Sequence, residues 1–152
     1  MSLLEQIESD YITAYKAKDA VRLSVLRLLK TALKNLQVER SRAPITDADA
    51  LDVVVKQVKQ RKDSIEQYRN ARREDLAAKE EAEMLVLESY LPAKIDGAAL
   101  KELVAGIIAE TGAAGPKDMG KVMQALNAGH KGSFDGKEAG ELVKAMLASV
   151  QG

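Results

Sequence analysis

Cysteine is absent from the 152-residue chain, which excludes disulfides, thiolate metal sites, iron–sulfur clusters and thiol chemistry. Histidine occurs once, at His130, so neither a histidine metal cluster nor an HExxH helix can be built. Aromatic residues are 3% of the chain, one Phe and four Tyr, too few for a platform that stacks successive unpaired bases. No apolar run approaches the ~18 residues of a membrane span. The opening Met1-Ser2-Leu3-Leu4-Glu5 lacks the basic and apolar regions of a secretory signal. Neither charge is in excess, with Lys plus Arg and Asp plus Glu at 23 each. A global polycation is thereby excluded, and any nucleic-acid binding has to use local patches. The expectation is a cytoplasmic protein with no cofactor, no metal and no membrane partner.

What the chain has is enough apolar material to fold. Hydrophobic residues are 46% and charged residues 30%, which is the composition of neither a disordered nor a membrane-spanning chain. A chain of this length buries about two thirds of its extended surface. Glycine divides it: all 10 glycines lie at Gly97 or beyond, and Pro44 is the only proline before Pro92. An interior glycine weakens a helix by about 1 kcal/mol relative to alanine. The glycine-free first part therefore reads as long helices, and the second as short helices with tight turns. Pro92 cannot continue a helix and restricts Leu91, so the expected domains are 1–91 and 92–152.

The expected fold class is all-α, an N-terminal bundle of about four helices followed by a small three-helix domain. Helical spacing marks about 3–18, about 20–41 behind an Asp19 cap, a third helix behind Thr46, and about 75–90. Val21, Val25, Leu28, Leu29, Ala32, Leu33 and Leu36 give the second helix its buried side. Asn70 is placed in the left-handed conformation at the end of the third. In the second part Asp96 is the expected cap of 97–111, with Gly112 just beyond its end. Gly115-Pro116 opens a short helix, and Asp135 caps the last one, stapled by Phe134.

No catalytic constellation emerges. There is no GxxxxGK[ST] loop and no GxSxG elbow, and Gly120-Lys121 and Gly136-Lys137 lack the strand and upstream glycines of a phosphate loop. Glu80-Glu81-Glu83 reads as a solvated acidic face, and no carboxylate spacing asks for a metal. The chain is expected not to be an enzyme.

Two basic stripes are present. Arg27, Lys30 and Lys34 recur at i, i+3 and i+7, and Lys59, Lys62, Arg69 and Arg73 share a quadrant interrupted by Glu66. Such stripes suit a solvated face or contact with phosphates, which needs Lys and Arg but no base-reading side chains. With few aromatics, a folded RNA read by shape is a better target than a single strand. In the second part, Lys117 and Lys121 stand at the start of one helix, and Lys131 and Lys137 flank the start of another. Gly120, Gly132 and Gly136 either let a phosphate backbone approach or serve packing and turns. His130 reads as a surface or capping residue rather than a ligand.

The motifs combine into a resemblance. Lys16-Ala17-Lys18-Asp19 is followed by Arg22-Leu23-Ser24-Val25-Leu26-Arg27, and Lys59-Gln60-Arg61-Lys62-Asp63-Ser64-Ile65-Glu66-Gln67-Tyr68 by Arg73-Glu74-Asp75-Leu76. Next come Lys79-Glu80-Glu81-Ala82-Glu83, Tyr90-Leu91-Pro92 and Lys117-Asp118-Met119-Gly120-Lys121-Val122-Met123. Lys131-Gly132 and Asp135-Gly136-Lys137 complete the set. Together they resemble the GatB/YqeY family over essentially the whole chain.

The resemblance implies a helical bundle joined to a three-helix domain like the tail of the B subunit of tRNA-dependent amidotransferase. It also implies tRNA as a partner, gripped away from the chemistry. An aminoacyl-tRNA synthetase or amidotransferase is the protein partner implied, and a helical adaptor docking on one of these is the alternative role. A carbon–nitrogen ligase label, with glutamine as amide donor, accompanies the kinship. The synthetic core and any glutaminase apparatus are missing here, so the activity is not carried over.

Three positions depart from the family. Its usual glycine before Arg-Glu-Asp is Arg72 here, so the turn after the third helix is expected to be tighter or continuous. A Met-Pro-Lys stretch is replaced by Asn127-Ala128-Gly129-His130, and a basic residue after Lys131-Gly132 by Ser133. Lys117, Lys121, Lys131 and Lys137 are then the phosphate contacts expected of the small domain.

Overall fold

The computed structural model describes residues 1–150, which form seven α-helices and, among the described residues, no strand. These are α1 (Leu3–Ala17), α2 (Ala20–Glu39), α3 (Asp47–Asn70), α4 (Glu74–Glu88), α5 (Gly97–Thr111), α6 (Met119–His130) and α7 (Gly136–Val150). A 3₁₀ turn, Pro116–Asp118, runs into α6. The chain separates into two compact units, Met1–Leu91 and Pro92–Gly152.

The first unit packs α1 to α4 around Ile7, Leu26, Leu29, Val54 and Leu87. The apolar stripe of α2 is wider than its contact, because Val21 and Leu28 are 44% and 55% exposed while Val25, Leu26 and Leu29 are fully buried. Tyr90 is buried at the end of α4, and its hydroxyl donates to Asp10 Oδ2 at 2.6 Å. Burial first, then that carboxylate, pushes the phenol pKa up, so Tyr90 stays a donor.

The starts of α1, α2 and α3 are closed by side chains, carboxylates among them. Ser2 and Thr46 head capping boxes with Glu5 and Asp49, and Asp19 accepts from the Arg22 N–H at 3.1 Å. Asp47, in the first turn of α3, reaches across to accept from the Leu3 and Leu4 N–H groups at 3.1 and 3.2 Å. One helix thus satisfies the orphan donors of another.

Asp49 accepts from the Thr46 N–H at 2.9 Å and pairs with Arg40 at 2.6 Å. The Thr46 backbone bond first, then Arg40, lowers its pKa from 3.8 to about 2. A carboxyl depressed in the fold stabilises it above the unfolded value and loses that contribution as pH falls through the folded one. Melting temperature is therefore expected to fall between about pH 4 and pH 2. In the Asp49→Asn variant that dependence should be shallower, which thermal melts at stepped pH measure.

With no glycine before Gly97, the reversals of this unit place other residues at positive φ: Lys18 (55°), Ser41 (55°), Arg42 (65°) and Arg72 (59°). Two expectations are corrected here. The left-handed residue after α3 is Arg72, not Asn70, and of the two alternatives for the link a continuous helix is ruled out, because residues 71–73 separate α3 from α4. The chain must reverse to pack α4 on α3, so the left-handed position persists whichever residue fills it. A non-glycine residue there is strained by about 1 kcal/mol, offset in part by the stiffer unfolded chain. Arg72→Gly is expected to stabilise the unit by about 0.5 kcal/mol, a rise of a few degrees in a thermal melt.

The second unit packs α5, α6 and α7 around Leu100, Val104, Val122, Leu126, Val143 and Leu147, with Phe134 and Met119 against them. Gly112 is left-handed (φ 68°) at the end of α5. Asp96 makes no side-chain cap, contrary to expectation, and Glu138 Oε1 from α7 accepts from the Gly97 N–H at 3.1 Å. Asp135 does cap α7, accepting from the Glu138 N–H at 3.0 Å.

Candidate nucleic-acid interface

The first unit removes several of the expected basic contacts. Antiparallel packing of α3 on α4 brings α3 arginines against α4 carboxylates. Arg61 Nη1 bonds Glu80 at 3.0 Å and also bonds Glu83, and these side chains are 12%, 22% and 13% exposed. Arg69 pairs with Glu74 at 3.4 Å and with Glu81, and Arg73 pairs with Asp75 at 3.2 Å. Hydrogen bonds to Glu74 and then Glu81 raise the Arg69 pKa, and the bond to Asp75 raises that of Arg73. Glu80-Glu81-Glu83 is therefore no solvated acidic face, and Arg69 and Arg73 leave the phosphate-contact set. The expectation considered partners within one helix, whereas the partners come from the facing one.

The α2 stripe is altered as well. Lys30 Nζ pairs with Glu8 at 2.9 Å and stands 4.1 Å from the Tyr11 ring centroid, so it is held on α1. Arg27 and Lys34 are exposed. A groove of about 300 Å³ runs between α2 and α3, lined by Leu28, Gln57, Gln60, Arg61, Ser64 and Glu80. The flank of α3 that faces α2 is thus amide and hydroxyl. Lys59 and Lys62, both exposed, leave α3 roughly 100° or more around from it. The stripes of α2 and α3 do not merge.

Arg61 is the residue that the sequence reading left without a role. Its signal was present, since Val54, Val58, Arg61 and Ile65 follow one apolar stripe and an arginine on such a stripe implies a buried ion pair.

In the second unit Lys117, Lys121, Lys131 and Lys137 are all exposed. The carboxylates beside them bond backbone N–H groups. Asp118 Oδ2 accepts from the Ala114 N–H at 2.9 Å, Asp135 from Glu138, and Glu138 from Gly97. Among the described residues, Lys117, Lys121 and Lys137 make no ion pair. Lys121 and Lys131 stand at opposite ends of α6, about 15 Å apart along its axis at 1.5 Å per residue. A polyanion touching both must run along that helix.

Glycine roles divide. Gly132 is left-handed at φ 83° and serves the turn. Gly120 and Gly136 meet nothing within 4 Å where a Cβ would stand, so packing does not demand them. Gly136 opens a helix end that Asp135 already caps, so that end is not an open phosphate seat. Ser133 is buried at 8% exposure, and its carbonyl accepts from the Ile95 N–H at 2.6 Å. His130 lies half-buried at the end of α6, its carbonyl taken by the Ser133 N–H at 3.0 Å. Among the described residues no group of three His, Asp or Glu side chains could hold a metal, and no helix is long and apolar enough to cross a membrane.

The sequence model of the Yqey-like protein family matches residues 4–147. The chain belongs to that family. This YqeY-like chain is 35% identical over 89 residues to the protein called altered inheritance of mitochondria protein 41, mitochondrial, of Pyrenophora tritici-repentis, covering 58% of this chain and 48% of that protein. It is 31% identical over 85 residues to the protein of that name in Saccharomyces cerevisiae strain YJM789, covering 56% and 46%. With an uncharacterised protein of Schizosaccharomyces pombe it shares 43% identity over 70 residues, 45% of this chain and 57% of that one. The YqeY-like chain spans about half the length of the relatives it matches. The family match reaches across both units, taking in the α3–α4 arginines and the lysines of the second unit.

Proposed function

We propose that this YqeY-like protein is a non-catalytic accessory module that binds tRNA through phosphates and shape. The second unit carries the principal contacts, Lys117, Lys121, Lys131 and Lys137, while Arg27, Lys59 and Lys62 of the first unit supplement them. The observation supporting this most is that Lys117, Lys121 and Lys137 are exposed while Asp118 and Glu138 cap backbone N–H groups instead of pairing with them. Exposed ammonium groups without counter-ions are what phosphate contact requires. Lys30, Arg69 and Arg73 are left out because carboxylates of the same unit hold them. Gly120, exposed beside Lys121, lets a sugar–phosphate backbone come close.

The enzyme partner this reading implies is a synthetase or amidotransferase acting on the same tRNA. The compartment is one that holds tRNA, either the cytoplasm or a mitochondrion, where the fungal relatives are placed by their names.

Titration of the full chain with folded tRNA tests the proposal. Lys117→Ala/Lys121→Ala/Lys137→Ala is expected to weaken binding roughly 10- to 100-fold, about 0.5–1 kcal/mol for each exposed charge contact. Arg69→Ala should change it less than about threefold. Equal affinity of the triple variant and the wild type contradicts the proposal.

A further inference from the structure

The small unit carries a second surface of opposite character. Between α5 and the end of α6 lies an open groove of about 450 Å³, floored by Leu103, Gly106 and Ile107 and rimmed by Glu102, Glu110 and His130. Glu102 and Glu110 are exposed and, unlike Asp118, Asp135 and Glu138, neither caps a helix nor makes an ion pair among the described residues. They stand about two turns apart on α5, one on each side of Gly106.

Nothing inside the unit explains that glycine. It sits in the interior of α5, where glycine weakens a helix, its φ is not positive, and a Cβ there would meet nothing within 4 Å. Its effect is outward. It deepens the floor, so that another helix axis can approach toward the near end of the 8–10 Å range.

We infer that this groove docks one amphipathic, basic helix of a partner protein. The apolar side chains of that helix, at i, i+3, i+4 and i+7, lie on Leu103 and Ile107. Its Lys or Arg side chains meet Glu102 and Glu110. The same carboxylates repel phosphate, so the groove is not an extension of an RNA surface, and the inference stands independently of the tRNA reading.

The probe is a labelled 18-residue peptide of Leu and Lys with Leu in helical register, titrated into the full chain. Two controls carry Glu in place of Lys, or the same residues scrambled out of register. Micromolar binding of the basic helix is expected, at least tenfold weaker for both controls, with amide shifts confined to α5 and the end of α6. Glu102→Lys/Glu110→Lys should reverse the preference toward the Glu peptide. Gly106→Leu points into open space and strengthens the helix, so it should melt no lower than wild type yet bind at least tenfold more weakly. Equal binding of basic and scrambled peptides overturns the inference, as does an undiminished Gly106→Leu variant. It is also overturned if the chain alone forms a dimer that Gly106→Leu dissociates, which would make a second copy the occupant.

Discussion

Arg61→Ala is expected to lower the melting temperature of the first unit by roughly 10–20 °C, from a loss of about 2–4 kcal/mol. The guanidinium is 12% exposed and faces two carboxylates, Glu80 and Glu83, at 22% and 13%. Removing it leaves two like charges with little water between α3 and α4. Breaking a fully buried pair from one side costs about 3–5 kcal/mol. The range is lowered here because Arg61 Nε and the neighbouring Gln57 Oε1 are buried without partners, so the native arrangement is already imperfect. The same physics predicts that Arg61→Met/Glu80→Leu/Glu83→Leu, which removes every charge of the cluster, melts within a few degrees of wild type. Thermal denaturation of both variants checks this, and a triple variant as unstable as Arg61→Ala contradicts it.

Leu126→Ala should act on the other unit with comparable force. Leu126 is fully buried in a core of short helices, and a domain of this size has only about 3–5 kcal/mol in hand. Truncating a buried leucine removes about 2–5 kcal/mol, enough to leave the second unit largely unfolded at 37 °C. Circular dichroism should lose roughly a third of its helical signal, the share of α5, α6 and α7, while the transition of the first unit remains. Leu126→Met, close in volume, should cost less than about 1.5 kcal/mol. One shared transition that moves as a whole in Leu126→Ala contradicts the separateness of the two cores.

Much of the fold was legible because its signals are local. The bounds of α5 follow from the residues around Gly97–Thr111, and Gly112 adopts the left-handed conformation that its place beyond the helix demands. Thr46 with Asp49, and Ser2 with Glu5, form boxes readable as spaced pairs. Other features depend on which helices meet. The cap of α5 comes from Glu138, 41 residues on, and no local pattern distinguishes it from Asp96. The α2 pattern marks Val21 and Leu28 as apolar without saying that no neighbour covers them. Arg72 takes the left-handed position because the helix pair needs a reversal there, which outweighs the residue's own preference.

The candidate site was legible to a smaller degree. Lysine spacing shows which ammonium groups share a face, but only packing shows which ones carboxylates reach. Lys30 is drawn onto α1 by Glu8 and Tyr11. Lys117, Lys121 and Lys137 stay open because the acids nearest to them in sequence are turned toward backbone N–H groups.

That arrangement is tested most directly by the dependence of tRNA affinity on salt between 50 and 200 mM. With four to six phosphate contacts, the plot of log affinity against log salt should fall with a slope of about −3 to −5. The slope should become shallower by about one unit for each of Lys117, Lys121 and Lys137 replaced by alanine. An affinity that is flat across that range, or a slope unchanged in the triple variant, contradicts the account.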